Sequence, residues 1–175
     1  MTQEDKELSF IDISGRLHYG VIVNYKENEY DYRKWKITNL HTLSYSKSGT
    51  LIDTDFDGWI SYEEHKGCGM SSGSRPFRFG EVLPYLRLLS SMTEEEAREL
   101  GALHDIKDIL SVKVTSVYID YIVDDGVCTK SITTLWCDEL ISSVECLDWL
   151  NSKHFDYRGL ILKGLAIEAP KGMYE

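Results

Sequence analysis

Residues 112–136 read VKVTSVYIDYIVDDGVCTKSITTLW, and the fold turns on how this stretch pairs. Valine, isoleucine, tyrosine and threonine dominate it, the side chains that suit a pleated, half-buried surface. Val112 to Val123 alternates, Asp124-Asp125-Gly126 is a strong turn signal, and Val127 to Trp136 resumes the same period. That pattern predicts an antiparallel hairpin. A lone hairpin is marginal in water, so other elements must cover it.

The cover is sought downstream. Ser142 and Glu145 have the spacing of a capping box, in which serine and glutamate satisfy backbone N–H groups reciprocally at a helix start. Val144, Leu147 and Leu150 then share one helical face, with Trp149 beside them. Asp156 is placed to cap a second helix that Gly164 and Leu165 would end. Two short C-terminal helices, meeting at Lys153 to Phe155, are therefore expected to lie on the hairpin.

Upstream, Leu8 to Leu17 permits a short helix ending near Gly15. Gly20 to Tyr25, a polar turn at Lys26 to Glu29, and Tyr30 to Leu40 read as a second hairpin, with short strands at Thr42 to Ser46 and Trp59 to Tyr62. Gly67 to Gly73 reads as a glycine- and serine-rich loop. Thr93 and Glu96 form another capping box, opening an acidic helix that Gly101 weakens. The expected class is α+β. A small β-rich, barrel-like N-terminal lobe over residues 1–89 precedes an α+β lobe over 90–175, a single compact domain being the alternative.

With 19 basic and 29 acidic side chains the chain carries a formal net charge of -10, which opposes binding to nucleic acid. Arg33, Lys34 and Lys36 among Tyr30, Tyr32 and Trp35 are an aromatic and basic mixture of the sort that stacks on bases; a strand with alternating faces accounts for it better. Cys68, Cys128, Cys137 and Cys146 lack the short paired spacing of a zinc or redox motif. His18, His41, His65 and His104 are scattered without ligand spacing. No apolar run reaches the roughly 18 residues that cross a bilayer, and Thr2 to Asp5 lacks the charge and apolar block of an export signal. A soluble protein of the cytoplasm, with no membrane partner, is expected.

The sharpest local motif is Asp53-Thr54-Asp55-Phe56-Asp57-Gly58-Trp59-Ile60-Ser61-Tyr62-Glu63-Glu64. It fits a twelve-residue calcium loop. Asp53, Asp55 and Asp57 would give carboxylates, Trp59 its carbonyl, Ser61 a water-mediated contact and Glu64 both carboxylate oxygens. Its flanks lack the two helices of an EF-hand, so the competing reading is a β-hairpin turning at Asp57-Gly58 with solvated aspartates. A second cluster, His154, Asp156, Tyr157 and Arg158, crowds the expected helix junction. It would form a polar pocket for a carboxylate or phosphate, or, read structurally, a helix cap with packed neighbours. No phosphate loop or nucleophile elbow occurs, and no residue is nominated as catalytic.

Three further motifs carry a family resemblance: Arg16-Leu17-His18-Tyr19-Gly20-Val21, then Pro84-Tyr85-Leu86-Arg87 with Ser90 to Glu96, then His154 to Leu160 with Lys163 to Ala166. Together they resemble small uncharacterised proteins of gut Bacteroidetes phages and prophages. The resemblance implies an accessory protein that works inside an infected bacterium, binding a host protein or a small signalling molecule without catalysis and without a required cofactor, to blunt defence. A calcium-binding module at Asp53–Glu64, a small enzyme at His154–Arg158 and, more faintly, an acidic nucleic-acid mimic are the alternatives. A binding role predicts an exposed aromatic patch, with Tyr30, Tyr32 and Trp35 as its nominees, or a homo-oligomer.

Overall fold

The computed structural model describes residues 1–26, 32–42, 57–64, 72–124, 126 and 130–174. Helices and strands mix in an α+β fold, divided into two compact units. One comprises Met1–Tyr85 with Ile161–Ile167, the other Leu86–Leu160 with Glu168–Glu175.

The first unit opens with α1 (Gln3–Arg16). This helix starts earlier than the apolar pattern predicts because Thr2 and Asp5 make a capping box: the Thr2 hydroxyl accepts from the Asp5 N–H at 3.1 Å and the Asp5 carboxylate from the Thr2 N–H at 2.9 Å. Gly15 does not stop it. One turn apart, Asp12 and Arg16 are fully buried and joined by two 2.9 Å hydrogen bonds. Removing either partner would strand a buried charge, at a cost of about 3–5 kcal/mol.

Strands β1 (Ile22–Lys26), β2 (Tyr32–Thr42), β3 (Gly58–Glu64), β4 (Ser72–Phe77), β5 (Val82–Leu86) and β9 (Ile167–Glu168) form one sheet in the order β4-β3-β2-β1-β5-β9. The expected hairpin is β1 paired antiparallel with β2, Val23 opposite Trp35. Lys34 and Lys36 face out while Trp35 and Ile37 are buried, so the alternating-strand reading of this basic and aromatic segment holds. Trp35 is sandwiched between Tyr25 and Tyr62, ring centroids 4.1 and 3.7 Å away. The expected surface patch therefore fails at Trp35, whose large apolar ring gains more from this stack than from solvent; Tyr30 lies outside the described residues, as do residues 43–46 of the expected Thr42–Ser46 strand and residues 27–29 of the turn. Gly73 belongs to β4 rather than to a loop, opposite Tyr62, while residues 67–71 lie outside the description.

In the second unit, β6 (Ile109–Val114), β7 (Tyr118–Asp124) and β8 (Lys130–Trp136) make a three-stranded antiparallel sheet in that order. The long alternating run is thus two strands, folded at Thr115. Its Oγ1 accepts from the N–H groups of Val117 and Tyr118 at 3.3 and 3.0 Å and donates to the Tyr118 carbonyl at 2.8 Å, a threonine side chain standing in for a backbone turn.

Two helices cover one face of this sheet, α2 (Glu94–Leu103) and α3 (Val144–Ser152). The Thr93–Glu96 capping box forms as expected, at 3.2 and 3.0 Å. Gly101 has a role that its low helix propensity hides: a Cβ there would lie 2.7 Å from Tyr121 Cε1. Glycine lets the fully buried Tyr121 ring seat beneath α2, where its hydroxyl donates to the Ala97 carbonyl at 2.9 Å. Burial pushes that phenol's pKa well up.

The C-terminal expectation needs two corrections. Ser143, not Ser142, caps α3, accepting from the Cys146 N–H at 3.1 Å; this register buries Cys146 and Leu150 and leaves Val144 exposed. The second helix, expected after Asp156, is a series of turns. Phe155 extends to bridge Arg87, and Gly159 sits at φ 68, a left-handed conformation that breaks a right-handed helix.

Candidate functional site

The residues nominated at the junction are brought together, and each has a structural occupation. His154 lies at φ 58, the left-handed position after a helix that glycine usually fills. Its N–H donates to the Asn151 carbonyl and that of Phe155 to the Leu150 carbonyl, both at 3.1 Å, the paired bonds of a Schellman motif. The imidazole is buried and stacked on Tyr174, centroids 3.7 Å apart. Asp156 accepts from the Leu160 N–H at 2.8 Å. Tyr157 donates its hydroxyl proton to Asn151 at 3.0 Å, and Arg158 Nε donates to the same hydroxyl oxygen at 3.2 Å.

Beside this junction three stretches of the quoted motifs converge. Arg87 donates its N–H to the His154 carbonyl, and its carbonyl accepts from the Asp156 N–H, both at 2.8 Å. Its guanidinium lies 4.3 Å from the Phe155 ring centroid and binds Glu96 through two parallel bonds of 2.7 and 2.9 Å. Burial pushes the Glu96 carboxyl up, but the hydrogen bond from Arg87, the Thr93 N–H and the nearby positive charges outweigh it, and the group is held below its ordinary value.

Arg87, Ser91 and Thr93 form one wall of a cleft of about 400 Å³ whose other wall is the tail Glu168–Tyr174. The volume suits a small ligand. Of the charged groups there, Arg87 is neutralised by Glu96, whereas Lys171 and Glu168 are exposed. Sequence reasoning missed this cleft, since its walls are some eighty residues apart in the chain.

The described part of the acidic motif, from Asp57 onward, runs along a strand. Asp53 and Asp55 lie outside the described residues. Asp57 accepts from Lys6 Nζ at 2.7 Å and from the Phe79 N–H at 2.9 Å, and its own N–H extends the ladder to the Phe77 carbonyl at 2.8 Å. The solvated turn expected at Asp57-Gly58 is instead the start of β3. Trp59 and Ser61 follow along that strand, Ser61 Oγ meeting Ser74 Oγ at 2.8 Å. At about 3.3 Å per residue Glu64 is about 20 Å from Gly58, too far for one ion to touch both ends. Among the described residues no group of three His, Cys, Asp or Glu side chains is placed to hold a metal.

A different surface stands out in the second unit. On the face of the three-stranded sheet turned away from α2 and α3, Ile122 lies opposite Ile132 and Tyr118 opposite Trp136. Ile132 is 66 % exposed and Trp136 51 %, and the Tyr118 and Trp136 rings meet at 5.2 Å. Between these pairs Thr134 Oγ1 donates to Asp120 at 2.6 Å. Periodicity puts these residues on one face; which face the helices would take was not legible.

No helix among the described residues is long and apolar enough to cross a membrane. No protein-family model, curated protein or solved structure matches the chain.

Proposed function

We propose that this chain is a non-catalytic binding protein, an accessory factor of a phage or mobile element, that covers a host protein inside a bacterial cell with the uncovered face of its three-stranded sheet. The observation that carries this reading is the exposed pair Ile132 and Trp136, each beside a half-buried apolar neighbour on the next strand, Ile122 and Tyr118. Aromatic and aliphatic side chains on a sheet face, divided by the bonded Asp120–Thr134 pair and flanked by Lys113, Asp124 and Lys130, have the anatomy of a protein contact: apolar groups supply affinity and charged neighbours supply orientation. The resemblance to Bacteroidetes phage proteins supports the setting.

The test is affinity capture from a lysate of a gut Bacteroidetes bacterium, wild type against the doubly substituted Ile132→Ser, Trp136→Ser chain. One saturable partner retained by wild type and lost by the variant is the expected result. Identical captures by both would defeat the reading.

The cleft beside Arg87 favours a second reading, a small signalling ligand held under the tail, because its volume falls in the range of small-molecule sites. Titration with a cyclic dinucleotide should then protect residues 168–174 from proteolysis. No heat and no protection would remove it.

A further inference from the structure

The two edges of the three-stranded sheet are treated differently. On the β6 side Arg98 donates to the carbonyls of Ile109 and Leu110, at 2.5 and 3.0 Å, while paired with Glu94. That edge is covered by a cation, a usual guard against strand pairing. Among the described residues the β8 edge is covered only at its end, where the Trp136 N–H donates to the Glu139 carboxylate at 2.8 Å and the Trp136 carbonyl accepts from the N–H groups of Glu139 and Leu140 at 2.9 and 3.1 Å.

The phase of the ladder gives the rest. The Cys137 N–H donates to the Val117 carbonyl at 3.1 Å, so the backbone groups of Leu135, Thr133 and Ser131 turn toward β7 and those of Thr134, Ile132 and Lys130 turn outward. All three outward residues belong to the last strand of the sheet, and no strand pairs with them among the described residues. Lys130, Ser131, Ile132 and Thr133 are exposed in succession, so neither face of this half-strand is covered.

We propose that β8 pairs antiparallel with the β8 of a second copy of this chain, about a two-fold axis at Ile132, joining two three-stranded sheets into one of six. In this register Ile132 meets its own image and Lys130 meets Thr134, two backbone bonds closing at each pair. The side chains on the outer face fit the same register. The central row becomes Ile122, Ile132 and their images, an unbroken apolar line. On either side runs the row Lys113, Asp120, Thr134, then the second copy's Lys130 and Asp124, in which positive and negative charges alternate across the join. Opposite charges on neighbouring strands attract and like charges repel, so this alternation favours a second copy over an arbitrary strand, and a slip by one residue would destroy it.

The proposal concerns the edge of the sheet whose face carries the proposed function, and the two are tested apart. Sedimentation of the purified full chain should show a dimer at tens of micromolar. Lys130→Glu should weaken it about tenfold by turning the alternating row into acids on both sides of the join, Asp120 on one copy and positions 130 and 124 on the other, whereas Trp136→Ser, outside the paired residues, should lose host capture and leave the dimer intact. Ile132→Cys, at an exposed position where folding is not at stake, should form an inter-chain disulfide in air that wild type does not, since directly opposed residues lie about 5.5 Å apart between Cα atoms; Thr133→Cys should not. A monomer at every concentration with no added cross-link in Ile132→Cys would overturn the proposal. So would cross-linking at Thr133→Cys instead, or a host segment found paired along β8 of a monomeric chain.

Discussion

Two regions of the second unit invite opposite readings from sequence and from structure. The junction His154–Arg158 concentrates the polar side chains that chemistry uses, yet there His154 caps a helix and stacks on Tyr174, Asp156 holds a turn, and Tyr157 and Arg158 bond to each other and to Asn151. The outer face of the sheet has little chemistry, and Ile132 and Trp136 on it are left bare. A polar group that is buried must be paired, so a crowd of them records what the fold needs. An exposed apolar row has no such internal use, and that surplus is what recognition can draw on.

The contrast breaks most readily at Phe155, fully buried and stacked under Arg87. Phe155→Ala should cost about 3–5 kcal/mol, the range for emptying an aromatic site in a core, read as a fall in the denaturant midpoint of the second unit. Survival of the unit with an unchanged midpoint would mean that the junction is not structural.

Arg87→Ala should cost about 2 kcal/mol at neutral pH, the scale of a charge-assisted pair of hydrogen bonds, and should alter the acid limb of the stability curve. Glu96 sits below its ordinary value of 4.5 in the fold, so the unfolded chain takes up its proton first. The stability it contributes is complete above that value and is lost as pH falls through the folded pKa. Wild type and variant should therefore converge toward acid. Parallel curves would show that Arg87 does not set the charge state of Glu96.

His154→Gly sharpens the comparison in a different way. Glycine relieves the left-handed backbone, a gain of about 1 kcal/mol, while removing the ring that stacks on Tyr174. The net change should stay within about 1 kcal/mol by thermal unfolding, with proteolysis at the tail increased. A role for His154 as a reacting group predicts loss of some turnover instead. The smallest stability effect is expected from Ile132→Ser with Trp136→Ser, within about 0.5 kcal/mol for surface positions, despite loss of the captured partner. A large destabilisation would mean that this face is covered within the chain.

Much of the local structure was legible. The Thr93–Glu96 capping box and the pairing of β1 with β2 and of β7 with β8 follow from signals within a few residues of one another, and they form as read. The fold at Thr115 was encoded too, in a change of parity: Val112 and Val114 point inward at even positions, Ile119, Tyr121 and Val123 at odd ones, and only a turn between them reconciles the two. The missing second C-terminal helix was harder. Asp156 and Gly164 are good helix punctuation, but the segment between them is claimed by the Phe155–Arg87 bridge and broken by Gly159, a competition between partners distant in sequence. Asp57 shows the same limit, since the motif implies solvent or a cation while its carboxylate is taken by Lys6 and the Phe79 N–H.

Sequence alone determined the α+β class, the capped start of α2 and the residues that share each strand face, because period, caps and turns act over a few residues. Tertiary structure alone decided that Trp35 would be buried between two tyrosines, that Gly101 would admit Tyr121, and that Ile132 and Trp136 would stay bare. Burial is a property of what packs across a gap, and two faces with equal claim to an apolar core are told apart only by which one the helices reach.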